Sequence, residues 1–213
     1  MPKEGLKLKA LTFLISLGFF IHAYLTQNIL TTWLALLFWA ITLFIMFFFR
    51  DPEREVPPGE KLILSPSDGK IVAIDKIPKL DFLGSSGVKI STFLSVWDVH
   101  FIRSPIDGKI NYYRYSPGKF KPAFKTQASI ENEQAELGIE NHFGKVVVKK
   151  IAGVLARRIV TYLKPQEEAL AGSKLGMIRF GSRVELILPE KVELKVQIGQ
   201  KLKAGETVVG VFK

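Results

Sequence analysis

Ser65-Pro66-Ser67-Asp68-Gly69-Lys70-Ile71 returns later in the chain as Ser104-Pro105-Ile106-Asp107-Gly108-Lys109-Ile110. In each copy the Asp-Gly pair supplies turn chemistry and the Lys-Ile that follows begins a β-branched run, so each reads as a turn feeding a strand. A third segment, Val196-Gln197-Ile198-Gly199-Gln200-Lys201-Leu202-Lys203-Ala204-Gly205-Glu206, reads as another β-turn unit. A repeated half-motif of this kind points to two facing halves of one β-domain.

Short β-branched segments separated by Gly, Pro and Asp fill the rest of the chain after residue 60. They predict strands over Lys61–Leu64, Lys70–Asp75, Val88–Phe93, Lys109–Tyr115, Lys145–Ala152, Arg157–Leu163, Met177–Phe180, Arg183–Leu188 and Thr207–Phe212. No long amphipathic helix interrupts them. The expected fold class is mainly β, a compact sandwich or barrel. The half-motifs resemble elements of biotinyl/lipoyl domains. No lysine occupies the hairpin tip that such carriers modify, so a prosthetic-group carrier is not supported.

The first fifty residues differ in kind. Ala10 to Leu25 and Ile29 to Phe49 carry no charge, and only Thr26-Gln27-Asn28 separates them. The second run has 21 residues, about 31 Å as a helix, enough to cross a hydrocarbon core. Lys3, Lys7 and Lys9 precede the pair; Arg50 and Arg54 follow it. This charge pattern predicts a membrane hairpin over residues 1–50 with both ends in the cytoplasm, followed by a β-domain over residues 51–213. A cleaved signal peptide would not be followed at once by a second apolar run. A buried soluble hairpin would not place Phe, Leu, Ile and Trp on every helical face.

Composition narrows the chemistry. The chain of 213 residues has no cysteine, which excludes thiolate nucleophiles and disulfides. Its three histidines are His22, His100 and His142, and His22 lies in an apolar run, so a three-histidine metal site is not expected. The net charge of +10 suits anionic lipid headgroups or nucleic acid. The cations are spread along the chain and the apolar N-terminus decides for the membrane.

Within Met177-Ile178-Arg179-Phe180-Gly181-Ser182-Arg183-Val184, Gly181-Ser182 has two readings. The bland one is a bend in a strand. The chemical one is self-cleavage: a serine hydroxyl can attack the preceding carbonyl where the backbone is bent and a base takes its proton. Glycine permits that backbone. His100, in Trp97-Asp98-Val99-His100, is the candidate base. Asp68, Asp98 and Asp107 suit turns, and the residues alone do not rank Asp68 above Asp107. His142 reads as part of a hairpin turn, and Arg157-Arg158 as a pair able to meet a phosphate through one side chain while the other faces solvent on an alternating strand.

Phe48-Phe49-Arg50-Asp51-Pro52, Ser65 to Lys70, Asp98-Val99-His100, Ile151-Ala152-Gly153 with Ala156-Arg157-Arg158, and Gly176 to Val184 occur in the order seen in phosphatidylserine decarboxylases. The chain resembles the short form of that family, which includes archaetidylserine decarboxylase-like members. The resemblance implies a proenzyme cut between Gly181 and Ser182 into residues 1–181 (the β chain) and 182–213 (the α chain), which stay together as a heterodimer. Ser182 would become a pyruvoyl group that forms a Schiff base with a serine phospholipid and draws electrons as CO₂ leaves. No pyridoxal phosphate, metal or nucleic acid enters, and higher oligomers are left open. The enzyme would sit in the cell (inner) membrane with its β-domain in the cytoplasm.

Matched residue by residue, Asp68 takes the place of the family aspartate of self-cleavage and His100 that of the first histidine of a His-x-x-His stretch. The second position is Arg103 here. Arginine stays protonated and is a poor base, so the resemblance leaves open how His100, Arg103 and Asp68 divide the work. A noncatalytic, membrane-tethered binding domain is the rival reading. It explains the hairpin and the repeat, but not Gly181-Ser182 or His100.

Overall fold

The computed structural model describes residues 5–121, 131–153, 159–178 and 182–213, Ser182 by its backbone alone. The chain divides into two units, residues 1–52 and 53–213.

The first unit is a helical hairpin. Helix α1 spans Leu6–Thr26 and α2 spans Ile29–Phe48. The turn between them works because Gln27 adopts a left-handed conformation (φ 51°) and the Asn28 side chain accepts from the Leu30 N–H at 2.9 Å. Helix α1 starts one turn before the uncharged run and takes in Lys7 and Lys9. The helices meet through small or polar positions: Ser16 Oγ donates to the Ala35 carbonyl at 3.2 Å, and Thr12 and Thr42 bond back to their own helix. Leu14, Leu25, Ile29 and Trp33 point outward and are exposed. Both helices are long and apolar enough to span a membrane, and that outward apolar surface is what lipid requires.

The second unit holds the strands, fourteen among the described residues: β1 Leu62–Leu64, β2 Gly69–Leu80, β3 Ser85–Leu94, β4 Phe101–Arg103, β5 Gly108–Ser116, β6 Gln134–Glu140, β7 Lys145–Ile151, β8 Ile159–Thr161, β9 Glu168–Ala169, β10 Lys174–Ile178, β11 Ser182–Pro189, β12 Val192–Leu194, β13 Lys201–Leu202 and β14 Val208–Phe212. A curled sheet, a half-barrel, runs β13-β2-β3-β11-β7-β6-β5-β9. Two small sheets run β1-β14-β12 and β4-β10-β8. The apolar core lies between the large sheet and the small ones: Ile71, Ile90, Val148 and Leu186 from the former meet Ile63, Ile102, Leu175 and Val209 from the latter. The mainly β class expected from sequence is what the chain forms. The short strands β4, β6, β9, β12 and β13 were not expected.

These sheets are two copies of one half. Exchanging β2 with β5, β3 with β6, β11 with β7 and β13 with β9 turns the large sheet's order into its reverse. Exchanging β1 with β4, β14 with β10 and β12 with β8 turns one small sheet into the other. The sequence echo is the visible part of this. Ser65 Oγ donates to the Ser67 carbonyl and Ser104 Oγ to the Ile106 carbonyl, both at 2.7 Å. The Leu64 N–H donates to the Pro105 carbonyl and the Arg103 N–H to that of Pro66, both at 2.8 Å. A bulge follows Ile71 in β2 and Ile110 in β5. Glycine follows each aspartate for a steric reason: a Cβ would lie 2.3 Å from the Phe93 carbonyl oxygen at Gly69 and 2.5 Å from that of Glu140 at Gly108.

The halves differ in connection. Strands β4 to β10 follow one another, and β6 turns directly into β7 through Asn141–Gly144. In the other half β3 and β11 pair side by side without being joined, because β4 to β10 are inserted between them. Residues 95–100 and 179–181 are the two junctions at which the chain passes between the halves.

Candidate active site

The described residues on either side of 179–181 pair with the two ends of the 95–100 junction. Ser182 opens β11 opposite Leu94, the last residue of β3. At the other end the Ile178 N–H donates to the His100 carbonyl at 3.3 Å. Ser182 and Ile178, the described residues on either side of the bond between 181 and 182, are thus anchored at the two ends of the segment bearing His100. Gly181, Arg157 and Arg158 lie outside the described residues, as does the end of the strand expected over Met177–Phe180.

His100 is fully buried. Its Nδ1 lies 2.9 Å from the Asp98 carbonyl oxygen. A carbonyl only accepts, so Nδ1 carries a proton, and whenever the ring is neutral Nε2 is its lone-pair nitrogen. Asp98 holds the turn in place: its Oδ2 accepts from both the N–H and the hydroxyl of Ser95, each at 2.8 Å. This aspartate builds the turn that orients the histidine.

Asp68 is held differently. Both its oxygens accept from Arg54 Nη2 at 2.9 Å, and Oδ1 accepts the Ala204 N–H at 2.8 Å. Arg54 also reaches Glu206 at 3.3 Å. Asp107 takes the equivalent place in the other half, its Oδ1 accepting the Ala171 N–H at 2.8 Å. Arg103 sits between the halves, bonding the Gly172 carbonyl through Nη1 at 2.9 Å. His142 belongs to the Asn141–Gly144 turn, its ring beside that of Phe143. Among the described residues no three His, Asp or Glu side chains converge as metal ligands.

The repeat offers a built-in control for Asp68. Asp68→Asn and Asp107→Asn each keep an oxygen for the backbone N–H, but only the former breaks a part-buried ion pair. We expect Asp68→Asn to lose about 2 kcal/mol of stability and Asp107→Asn about 1 kcal/mol or less. Denaturation of each variant, with chain cleavage followed beside it, separates turn support from chemistry. If Asp68 works in cleavage, it alone slows it.

Sequence reasoning missed two side chains, Arg54 beside Asp68 and Lys150 beside β11. Arg54 was counted only as a flanking charge. Lys150 stands in β7 opposite Val184 of β11 and is wholly buried. Its amine donates to the Val160 carbonyl at 3.1 Å and to Thr161 Oγ1 at 2.7 Å. Burial pulls its pKa down to about 7. Strand alternation through Val148-Lys149-Lys150 was the available signal, since it must turn one of the two lysines inward.

Known proteins supply the context. The family model for phosphatidylserine decarboxylase matches residues 41–210. The phosphatidylserine decarboxylase proenzyme of Carboxydothermus hydrogenoformans is 46% identical over 182 residues, 85% of this chain and 85% of that one. Those of Nitrosomonas europaea and Geobacter metallireducens are 44% and 43% identical over 197 and 180 residues, covering 92% and 84% of this chain and 90% and 82% of theirs. A match of this length, spanning both halves of the β-domain and the junctions between them, makes the chain a member of the phosphatidylserine decarboxylase family.

Proposed function

We propose that the chain is a self-processing decarboxylase of a serine phospholipid, cut between Gly181 and Ser182. Membership of a carboxy-lyase family and relatives named as proenzymes support this. The observation that carries it is that Ser182 opens β11 opposite Leu94 while Ile178, on the other side of residues 179–181, bonds the His100 carbonyl.

In this reading the Ser182 hydroxyl attacks the Gly181 carbonyl carbon, and the peptide becomes an ester as the Ser182 nitrogen takes up a proton. Loss of the Ser182 Cα proton expels the Gly181 carboxylate. Water then releases ammonia and leaves a pyruvoyl group on residue 182. That group supplies the electron sink for CO₂ loss. The residues present suit it: β11 is paired on both sides from Arg183 to Ile187, and Ser182 itself pairs with Leu94. His100, with its lone-pair Nε2, takes the serine proton during cleavage and returns a proton to substrate carbon during turnover. Asp68 and Arg54 hold the turn beside Arg103. The hairpin keeps the domain at the headgroup layer, with its Lys- and Arg-bearing ends on the cytoplasmic side.

Intact mass of the purified protein beside Ser182→Ala tests the reading. The wild type is expected as two fragments, residues 1–181 and 182–213, the second lighter by ammonia than a peptide starting with serine, and Ser182→Ala as one uncut chain. A wild-type chain that stays whole after incubation with lipid overturns it.

A further inference from the structure

Arg183 follows the cleavage position, and its surroundings are unusual. Val184, Leu186 and Leu188 of β11 point into the apolar core, so Arg183 and Glu185 lie on the opposite face of the sheet. That face is nonetheless buried: Arg183 is 5% exposed and Glu185 2%. Guanidinium groups at such depth are normally bonded through most of their N–H groups. Among the described residues Nε and Nη1 of Arg183 make no hydrogen bond, and its ion pair with Glu185 is long, Nε to Oε1 3.6 Å. Two further buried groups on this face are likewise unbonded, the Ser91 hydroxyl and Gln134 Oε1. Ser91 pairs with Glu185 across β3, and Gln134 pairs with Ile151, the partner of Arg183. The neighbouring charges are already matched, Lys149 to Glu136 at 3.5 Å and Lys89 to Asp75 at 3.4 Å.

A buried cation with unused donors, one residue from the reacting position, needs an oxyanion. We infer that Arg183 binds the phosphodiester of the serine phospholipid during decarboxylation. This rests on the self-processing reading above. The substrate amine must reach residue 182, and in this lipid the phosphorus is only four bonds from that nitrogen. An arginine next in the chain therefore meets the headgroup phosphate from beside it, with a planar donor pair suited to phosphate. The carboxylate is the poorer candidate. It leaves as CO₂, and a strong ion pair to it would stabilise the ground state and oppose the reaction. The phosphodiester keeps its charge throughout, so Arg183 strengthens ground state and transition state alike. Its loss should appear in KM and leave kcat in place.

The test follows cleavage, kinetics and product inhibition in Arg183→Gln and Arg183→Lys, with phosphatidylserine in mixed micelles. Phosphatidylethanolamine, which keeps the phosphate and lacks the carboxylate, is the inhibitor. Arg183→Gln should cleave normally, keep its kcat, and weaken both KM for phosphatidylserine and Ki for phosphatidylethanolamine by about tenfold to a hundredfold. Arg183→Lys should recover part of both. A rise in KM with unchanged Ki assigns Arg183 to the carboxylate and overturns the proposal. Slow cleavage with unchanged KM places it in processing and also overturns it.

A second measurement needs no variant. Arg183 is the sole arginine of residues 182–213, so phenylglyoxal labelling of that fragment in the cleaved enzyme reads it alone. Phosphatidylethanolamine should suppress the label, and labelling at an unchanged rate would refute the proposal. Absence of the fragment itself would instead refute the self-processing reading.

Discussion

His100→Ala should slow decarboxylation by about 10²–10⁴-fold, the usual contribution of a positioned proton-transfer group. Chain cleavage should slow as well. The expectation comes from the way the ring is held. Its Nδ1 is committed to the Asp98 carbonyl, and that carbonyl belongs to a turn closed by the Asp98 carboxylate on Ser95. The ring can neither rotate nor change tautomer without breaking this bond, so the same nitrogen is presented in both reactions. Following cleavage by intact mass and turnover by CO₂ release separates the two roles. A variant that cleaves at the normal rate but turns over slowly confines His100 to the decarboxylation step. Normal rates of both would remove it from the site.

Lys150 should leave the largest mark on the pH dependence of stability. Its folded pKa of about 7 lies below the 10.5 of a free lysine. Below pH 7 both folded and unfolded forms hold the proton, and the full cost of burying a charged amine is present and constant. Between pH 7 and 10.5 the unfolded chain holds the proton that the folded chain has released, so stability rises with pH. The rise amounts to at most about 5 kcal/mol. Lys150→Met should remove it. Part of the gain at neutral pH is offset, because the Val160 carbonyl and Thr161 hydroxyl lose their donor. Urea unfolding at pH 7, 8.5 and 10, with both proteins carrying Ser182→Ala so that each is a single chain, measures the difference. Parallel pH profiles for the two would show that Lys150 keeps an ordinary pKa.

The sequence disclosed the fold where local chemistry is strong. Asp68-Gly69 and Asp107-Gly108 marked two equivalent turns because both the aspartate bonds and the close backbone approach demand those residues. The helical hairpin was visible because its two runs are uncharged and only Thr26-Gln27-Asn28 separates them. The second half of the repeat was harder to see. Ala171-Gly172 and Ala204-Gly205 supply the N–H groups that meet the two aspartates, but an Ala-Gly pair carries no signal until its partner is known. Strands β9, β12 and β13 have two or three residues each, too few for a period. Motif order drew out Ser182 and His100, whose segments the fold places side by side. Arg54 and Lys150 were not drawn out, because their importance lies in contacts across the fold: Arg54 with Asp68, and Lys150 with β8.

The insertion of one half within the other has a consequence for how the molecule comes apart. Residues 182–213 contribute β11 to the middle of the large sheet, between β3 and β7, and also β13 beside β2 and β14 beside β1. Once the chain is cut before β11, these pairings hold the pieces together with no covalent help. Unfolding then yields two molecules where the precursor yields one. The midpoint of the cut protein should rise with its concentration while that of an uncut Ser182→Ala chain does not. Refolding likewise becomes a second-order encounter in which a long fragment must leave open the central place in its own sheet. The proposed cut would thus exchange a unimolecular refolding for one that needs two molecules to meet, and slow unfolding would then matter more to how long the fold lasts.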